Sequence, residues 1–133
     1  MIAVDTSALV AVILKEPRGP ACLAALDGDA ELVISAGTLT EALIVARRRD
    51  ISEEMQQLID AFAFNVIPVT DASARRAAAA YEVWGRGVHP AALNYGDCFA
   101  YEVAKENNCP LLFVGDDFTK TDVQSALTKR AGE

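Results

Sequence analysis

MIAVDTSALVAVILK, residues 1–15, reads as a short apolar strand, an acid and then a helix. Residues 2–5 are apolar enough for a buried strand, and Asp5 ends it. Ser7 to about Lys15 follows as an apolar helix. The same order returns near the other end, where PLLFVGDDF (110–118) places Asp116 and Asp117 just after an apolar strand at 111–114. Between these two stretches, short apolar runs at 32–34 and 66–69 alternate with segments of helical periodicity. Strands that alternate with helices are joined by crossovers, and crossovers produce parallel neighbours. The expected fold is therefore α/β with a mostly parallel sheet. At 133 residues the chain makes one domain, residues 1–133, with a real core.

Working outward, helices are expected over 21–27, 38–49, 52–64, 72–84 and 96–107. Thr38 and Glu41 form a capping-box pattern at the head of the second of these. Ser52 and Asp71 stand where the caps of the next two belong. Gly85 and Gly87 close the alanine-rich helix. Residues 86–96 (RGVHPAALNYG) form the one extended loop, and the tail TKTDVQSALTKR reads as a short edge helix.

Four acidic positions punctuate this framework: Asp5 after the first strand, Glu41 in GTLTEALIVARRR, Asp97 in NYGDCFAYEVAK, and Asp116–Asp117 after the last strand. In an α/β sheet, such turns gather at the carboxyl ends of the strands, where ligands bind. Each acid also has a plain structural role open to it. Glu41 and Asp97 suit capping boxes, and Asp5 and Asp116 could each cap a following helix. The two roles are compatible, because a carboxylate has two oxygens. Carboxylates crowded together repel, so they share protons or bind a cation. Hard oxygen ligands suit Mg²⁺ or Mn²⁺. The Ser7 hydroxyl, two residues after Asp5, either reaches this site or caps its helix.

Composition removes other classes. A hydrophobic fraction of 52% is too high for a disordered chain. No apolar run reaches the roughly 18 residues that cross a bilayer, and Met-Ile-Ala-Val-Asp has no basic head, so no signal peptide is expected. Cys22, Cys98 and Cys109 lack metal-ligand spacing and read as reduced thiols in a cytoplasmic protein. His89 is the single histidine, so no zinc cluster of histidines exists. Tyr81 and Trp84, near a helix end, read as packing residues. A net charge of −7 argues against coating nucleic acid through bulk electrostatics. The basic residues do bunch, at Arg47-Arg48-Arg49, Arg75-Arg76 and Arg86, as a solvated face or as a local rim.

VDTSALVA (4–11), TEA (40–42), LNYGDCFAYEVA (93–104) and PLLFVGDDFTKTD (110–122), in this order and spacing, resemble the PIN-domain nucleases. Within them they resemble the VapC-type toxins of type II toxin–antitoxin pairs. The resemblance implies a three-layer α/β/α domain with a short, mainly parallel sheet. It implies a Mg²⁺- or Mn²⁺-dependent endoribonuclease that halts translation by cutting RNA such as tRNA or rRNA. Asp5, Glu41 and Asp97 match the family's first three acids. Asp116 and Asp117 both stand at the fourth, so all five residues are candidate catalytic and metal-binding groups. The implied partners are an RNA substrate, a VapB-type antitoxin and a second copy in a homodimer, with no membrane. Two other readings stay open: a phosphatase- or receiver-like phosphotransfer domain, whose second acid near the first strand is missing here, and a non-catalytic PIN-like module.

Overall fold

The structure, a computed structural model, describes residues 1–128. They form β1 (Ile2–Val4), α1 (Thr6–Ile13), α2 (Gly19–Leu26), β2 (Leu32–Ser35), α3 (Ala36–Arg48), α4 (Ser52–Ala61), β3 (Phe64–Ile67), α5 (Asp71–Trp84), α6 (Tyr95–Glu106) and β4 (Leu111–Leu112). The four strands make one sheet in the order β3-β2-β1-β4, and every neighbouring pair is parallel.

That order explains the layers. The chain steps from β1 to β2 to β3 in one direction, then returns past β1 to place β4 on its other side. Crossovers of fixed hand put helices on one face for the outward steps and on the opposite face for the return. Accordingly α1 to α4 pack on the sheet face carrying Val4, Leu32, Ile34 and Leu112. Helix α6 and Ala77 of α5 pack on the face carrying Ala3, Val33 and Leu111. Successive strand residues alternate between the two cores, as a pleated strand requires. The direction of winding reverses between β1 and β4, so the crevice at their carboxyl ends is the fold's natural ligand site.

The α/β expectation holds, and the differences are local. Ser35, not Thr38, is the N-cap of α3, and its hydroxyl accepts from the Gly37 amide. Thr38 is fully buried inside the helix. Ser52 is the first helical residue of α4, and the cap, Ile51, makes no side-chain bond. Thr70 rather than Asp71 caps α5, in a capping box with Ser73. Asp71 instead pairs with Arg75 one turn on, at 3.0 Å. The third strand begins at Phe64, ahead of the expected 66–69.

The expected tail helix is absent from residues 119–128, and residues 129–130 of that segment lie outside the described residues. Leu111 sits at the open edge of β4, and its backbone needs partners. Its amide donates to the Gln124 carbonyl, and its carbonyl accepts from the Ala126 amide. That single bridge, Ser125 to Leu111, anchors a segment of turns and bends rather than a helix. The loop at 86–96 is folded back on itself: Arg86 N donates to Leu93 O, and Leu93 N donates to Trp84 O.

Candidate active site

Asp5 caps α1 at the carboxyl end of β1. Its Oδ2 accepts from the Ser7 amide at 3.0 Å and the Ser7 hydroxyl at 2.6 Å. The Ser7 hydroxyl in turn accepts from the Val114 amide at 3.0 Å, so one oxygen joins the ends of β1 and β4. Oδ1 of Asp5 is buried and has no hydrogen-bond partner. A bare buried carboxylate oxygen is costly unless something compensates it.

Glu41 lies on the second turn of α3, too far from Ser35 to form a capping box. Its Oε1 accepts instead from the Thr6 hydroxyl, at 2.7 Å. A Cβ built on Gly96 would collide with Glu41 Oε2, so the glycine leaves room for the carboxylate against the first turn of α6. Gly37 makes a similar allowance, because a Cβ there would stand 2.6 Å from the Phe99 ring. The two glycines permit α3 and α6 to approach.

Asp97 does form a capping box: Asn94 Oδ1 accepts from its amide at 2.9 Å, and its Oδ2 accepts from the Asn94 amide at 3.0 Å. It also faces the other acids. Asp5, Glu41, Asp97 and Asp117 line one cavity of about 390 Å³ at the switch point. Asp116 does not line it. Its carbonyl takes the Thr119 amide and hydroxyl, its side chain is exposed, and no helix follows for it to cap. Gly115, at φ +98, makes the turn that separates the two aspartates from the strand.

Crowding and burial leave a signature. Burial, with Glu41 nearby and against the Ser7 hydrogen bonds, raises the pKa of Asp5 to about 6. Burial raises that of Asp97 to about 7, with the charges of Asp5, Asp117 and Glu41 adding to the rise. The N-termini of α1 and α6 point their positive ends at the same cavity.

Two contributors escaped sequence reasoning. Glu16 also lines the cavity, brought there where Lys15, at φ +54, turns the chain after α1. Thr6 binds Glu41 across 35 residues of sequence, a contact with no local signal. The other polar candidates are structural. His89 Nδ1 accepts from the Ala91 amide, and its ring sits edge-on to Trp84 at 4.7 Å. Trp84 Nε1 donates to Tyr101 Oη. Arg76 pairs with buried Glu102 at 2.9 Å. Arg47, Arg48, Arg49, Arg86 and Lys120 are all exposed. Arg48 and Arg49 lie one turn beyond Val45, which lines the acid cavity, so the basic end of α3 continues from the site.

The donor set fits a hard divalent cation: oxygen ligands only, one of them buried and bare. As placed, no three His, Cys, Asp or Glu side chains among the described residues close on one point. Thr6 holds one oxygen of Glu41, and Asn94 holds one of Asp97. Each carboxylate keeps lone pairs free for a ligand.

The PIN-domain family model matches residues 2–124. The ribonuclease VapC28 of Mycobacterium tuberculosis is 42% identical over 131 residues, spanning 96% of this chain and 98% of its own length. The ribonuclease VapC42 of the same species is 41% identical over 129 residues, spanning 94% and 98%. Among solved structures, M. tuberculosis VapC20, described as a sarcin–ricin loop cleaving toxin, superposes with a TM-score of 0.75 at 15% identity, covering 96% of this chain and 100% of that one. A toxin–antitoxin complex from Klebsiella pneumoniae superposes with a TM-score of 0.69 at 18% identity, covering 92% and 93%. These two likenesses speak for the fold.

Proposed function

The chain belongs to the PIN-domain family, and we propose that it acts as a VapC-type toxin, an endoribonuclease that uses a divalent cation held by Asp5, Glu41, Asp97 and Asp117. The observation that carries the metal reading is the buried, unpartnered Oδ1 of Asp5, in a cavity that Glu41, Asp97 and Asp117 also line. A cation there relieves both the repulsion and the missing hydrogen bond. RNA cleavage is the activity for which relatives of this similarity are named.

When bound, Mg²⁺ or Mn²⁺ supplies an acidified water and positive charge for the phosphate oxygens. The protein supplies placement. Ser7 holds Asp5 in one rotamer through two hydrogen bonds. Thr6 fixes Glu41, and Asn94 fixes Asp97, so each acid enters the site from a rigid element. The acids act first as ligands, and one of them takes the proton of the attacking water. Of the two adjacent candidates, Asp117 lines the cavity from the turn after β4 and Asp116 does not, which supports Asp117 as the fourth acid.

The phosphotransfer reading loses ground on the same geometry. Where such a site needs a second acid, Ser7 is committed between Asp5 and Val114.

The regulatory half of the proposal is a VapB-type antitoxin and a homodimer. Its support is the two-sided match to VapC ribonucleases and the likeness in fold to chains solved as toxin–antitoxin complexes. Apolar side chains stand exposed on the α1–α4 side, with Leu23 at 43% and Ile44 at 49%. An amphipathic helix suits such a face, and a basic side chain reaching the acids would silence them. No helix among the described residues is long and apolar enough to cross a membrane.

The deciding experiment is induced expression of the wild type beside Asp5→Asn, with mapping of RNA 5′ ends, followed by assay of the purified proteins in EDTA and in Mn²⁺. New ends that depend on Asp5, vanish in EDTA and return with Mn²⁺ are expected. Full cleavage in EDTA would sink the metal mechanism.

A further inference from the structure

A second cavity, of about 530 Å³, lies between α5 and α6 on the far side of the α6 N-terminus from the acids. Alanines of α5, Ala74, Ala77 and Ala78, leave it open. Its walls are aromatic: Tyr81, Tyr95 and Phe99. Gly85 lets the Tyr81 ring lie against the chain, since a Cβ there would stand 2.8 Å from it. The polar groups lining it are few, and Arg86 is its one charge. Arg86 makes no ion pair with another described residue.

Asn94 joins the two cavities. It lines the aromatic one, and its amide donates to Asp97 Oδ2 in the acidic one. The next residue, Tyr95, is 78% exposed and sits edge-on to Phe99 at 5.1 Å, which leaves a ring face open to solvent.

We propose that this groove is a nucleotide subsite, in which a base of the RNA beside the scissile bond stacks on Tyr95 while Arg86 pairs with a backbone phosphate. The inference rests on the nuclease reading and deepens it. The first turn of α6, with Asn94 and Tyr95, borders the acid cavity at Asp97 and offers an RNA strand a path out of it. A chain of net charge −7 cannot hold RNA by bulk attraction, so affinity must come from local contacts. Stacking on an aromatic ring is the contact that every base can make. An aromatic ring, an amide and a lone guanidinium beside an apolar cleft match a base and its phosphate.

The test uses a synthetic RNA carrying a site cut by the wild type, and the same RNA with single abasic positions flanking that site. Tyr95→Ala and Ala78→Phe, which fills the groove, should raise KM about tenfold with kcat near wild type. Tyr95→Phe should behave as wild type, and Arg86→Gln should lower the salt dependence of KM. One abasic position should erase the difference between wild type and Tyr95→Ala, as two halves of one contact do. The same variants made on Asp5→Asn are tested for binding to single-stranded homopolymer RNA by fluorescence anisotropy. A wild type that cuts no RNA would then overturn the nuclease reading, while binding still decides the groove. Unchanged KM and affinity in Tyr95→Ala and Ala78→Phe would overturn the subsite. So would a change in mass by light scattering that accounts for the loss, which would make the groove a contact between copies of the chain.

Discussion

Gly96 and Glu41 are matched across two helices: the glycine has no Cβ where the glutamate carboxylate needs space. The position is the second residue of α6, where an alanine would ordinarily favour the helix by about 1 kcal/mol. Gly96→Ala therefore separates site geometry from helix stability. The added methyl must push Glu41 off its bond to Thr6. We expect cleavage to fall at least about tenfold, as a misplaced acid costs in a preorganised site, with little change in thermal stability. Steady-state rates beside a melting curve check this, and wild-type activity in the variant would show that Glu41 needs no fixed position.

Ser7 ties the ends of two strands through one hydroxyl. Ser7→Ala leaves the Val114 amide without that partner and takes from Asp5 a hydrogen bond that favours its charged form. The expected loss of stability is about 1–2 kcal/mol, read from denaturant melts. A carboxylate that loses such support titrates higher. The Asp5 resonance, followed by NMR against pH, should therefore shift upward in the variant. A melt identical to wild type would show that the bond to Val114 contributes nothing.

The adjacent aspartates make a cleaner comparison. Asp117 lines the cavity and adds to the charge felt by Asp97, whereas Asp116 is exposed outside it. Asp117→Asn should weaken Mn²⁺ binding and cleavage together. Asp116→Asn, with the same change in net charge, should leave both near wild type. Titration calorimetry with Mn²⁺ reads the metal directly. Equal losses in the two variants would show that both aspartates serve the site.

How much of this was legible in the sequence depends on whether a signal was local. The strand–acid–helix order at Asp5 reported the α/β class and set Asp5 at a strand end, where it lines the acid cavity, because apolar runs and caps are short-range features. The capping box at Asn94 and Asp97 was legible for the same reason. At Thr38 the same pattern misled: the apolar run of β2 carries Ser35 into the cap position first, so the helix starts earlier and Glu41 is released to the cavity. The tail was misread because its conformation is set by the open edge of β4, which no window of the tail contains. Glu16 and Thr6 join the site through turns and contacts between distant segments. The pair at 116 and 117 was unresolvable from spacing alone, since the two acids are adjacent and only the folded chain shows that Asp117 lines the cavity.

The last expectation concerns pH and metal together. Folding raises the pKa of Asp5 from 3.8 to about 6 and that of Asp97 from 3.8 to about 7, burial being the main cause in both. Each acid then holds its proton more tightly folded than unfolded. The associated stability is fully present at pH values below the unfolded pKa and is lost as pH rises through the folded values. Each unit of pKa rise corresponds to about 1.4 kcal/mol. In EDTA, the melting temperature should therefore fall between about pH 4 and pH 7. Asp97→Asn removes one of the two titrations and eases the repulsion on the others. Asn can still accept from the Asn94 amide, so the cap survives. That variant should melt at or above wild type near neutral pH in EDTA, with a shallower slope, while failing to cleave RNA. Saturating Mg²⁺ or Mn²⁺ binds the folded state and should lift the wild type most where its acids are ionised, by about 2.7 kcal/mol at a hundredfold excess over Kd. Differential scanning fluorimetry across the pH range, with and without metal, reads all three curves. A wild type whose metal-free stability is flat or rises over that window would refute the crowded-carboxylate account. A variant less stable than wild type would make Asp97 a structural cap first and a site residue second.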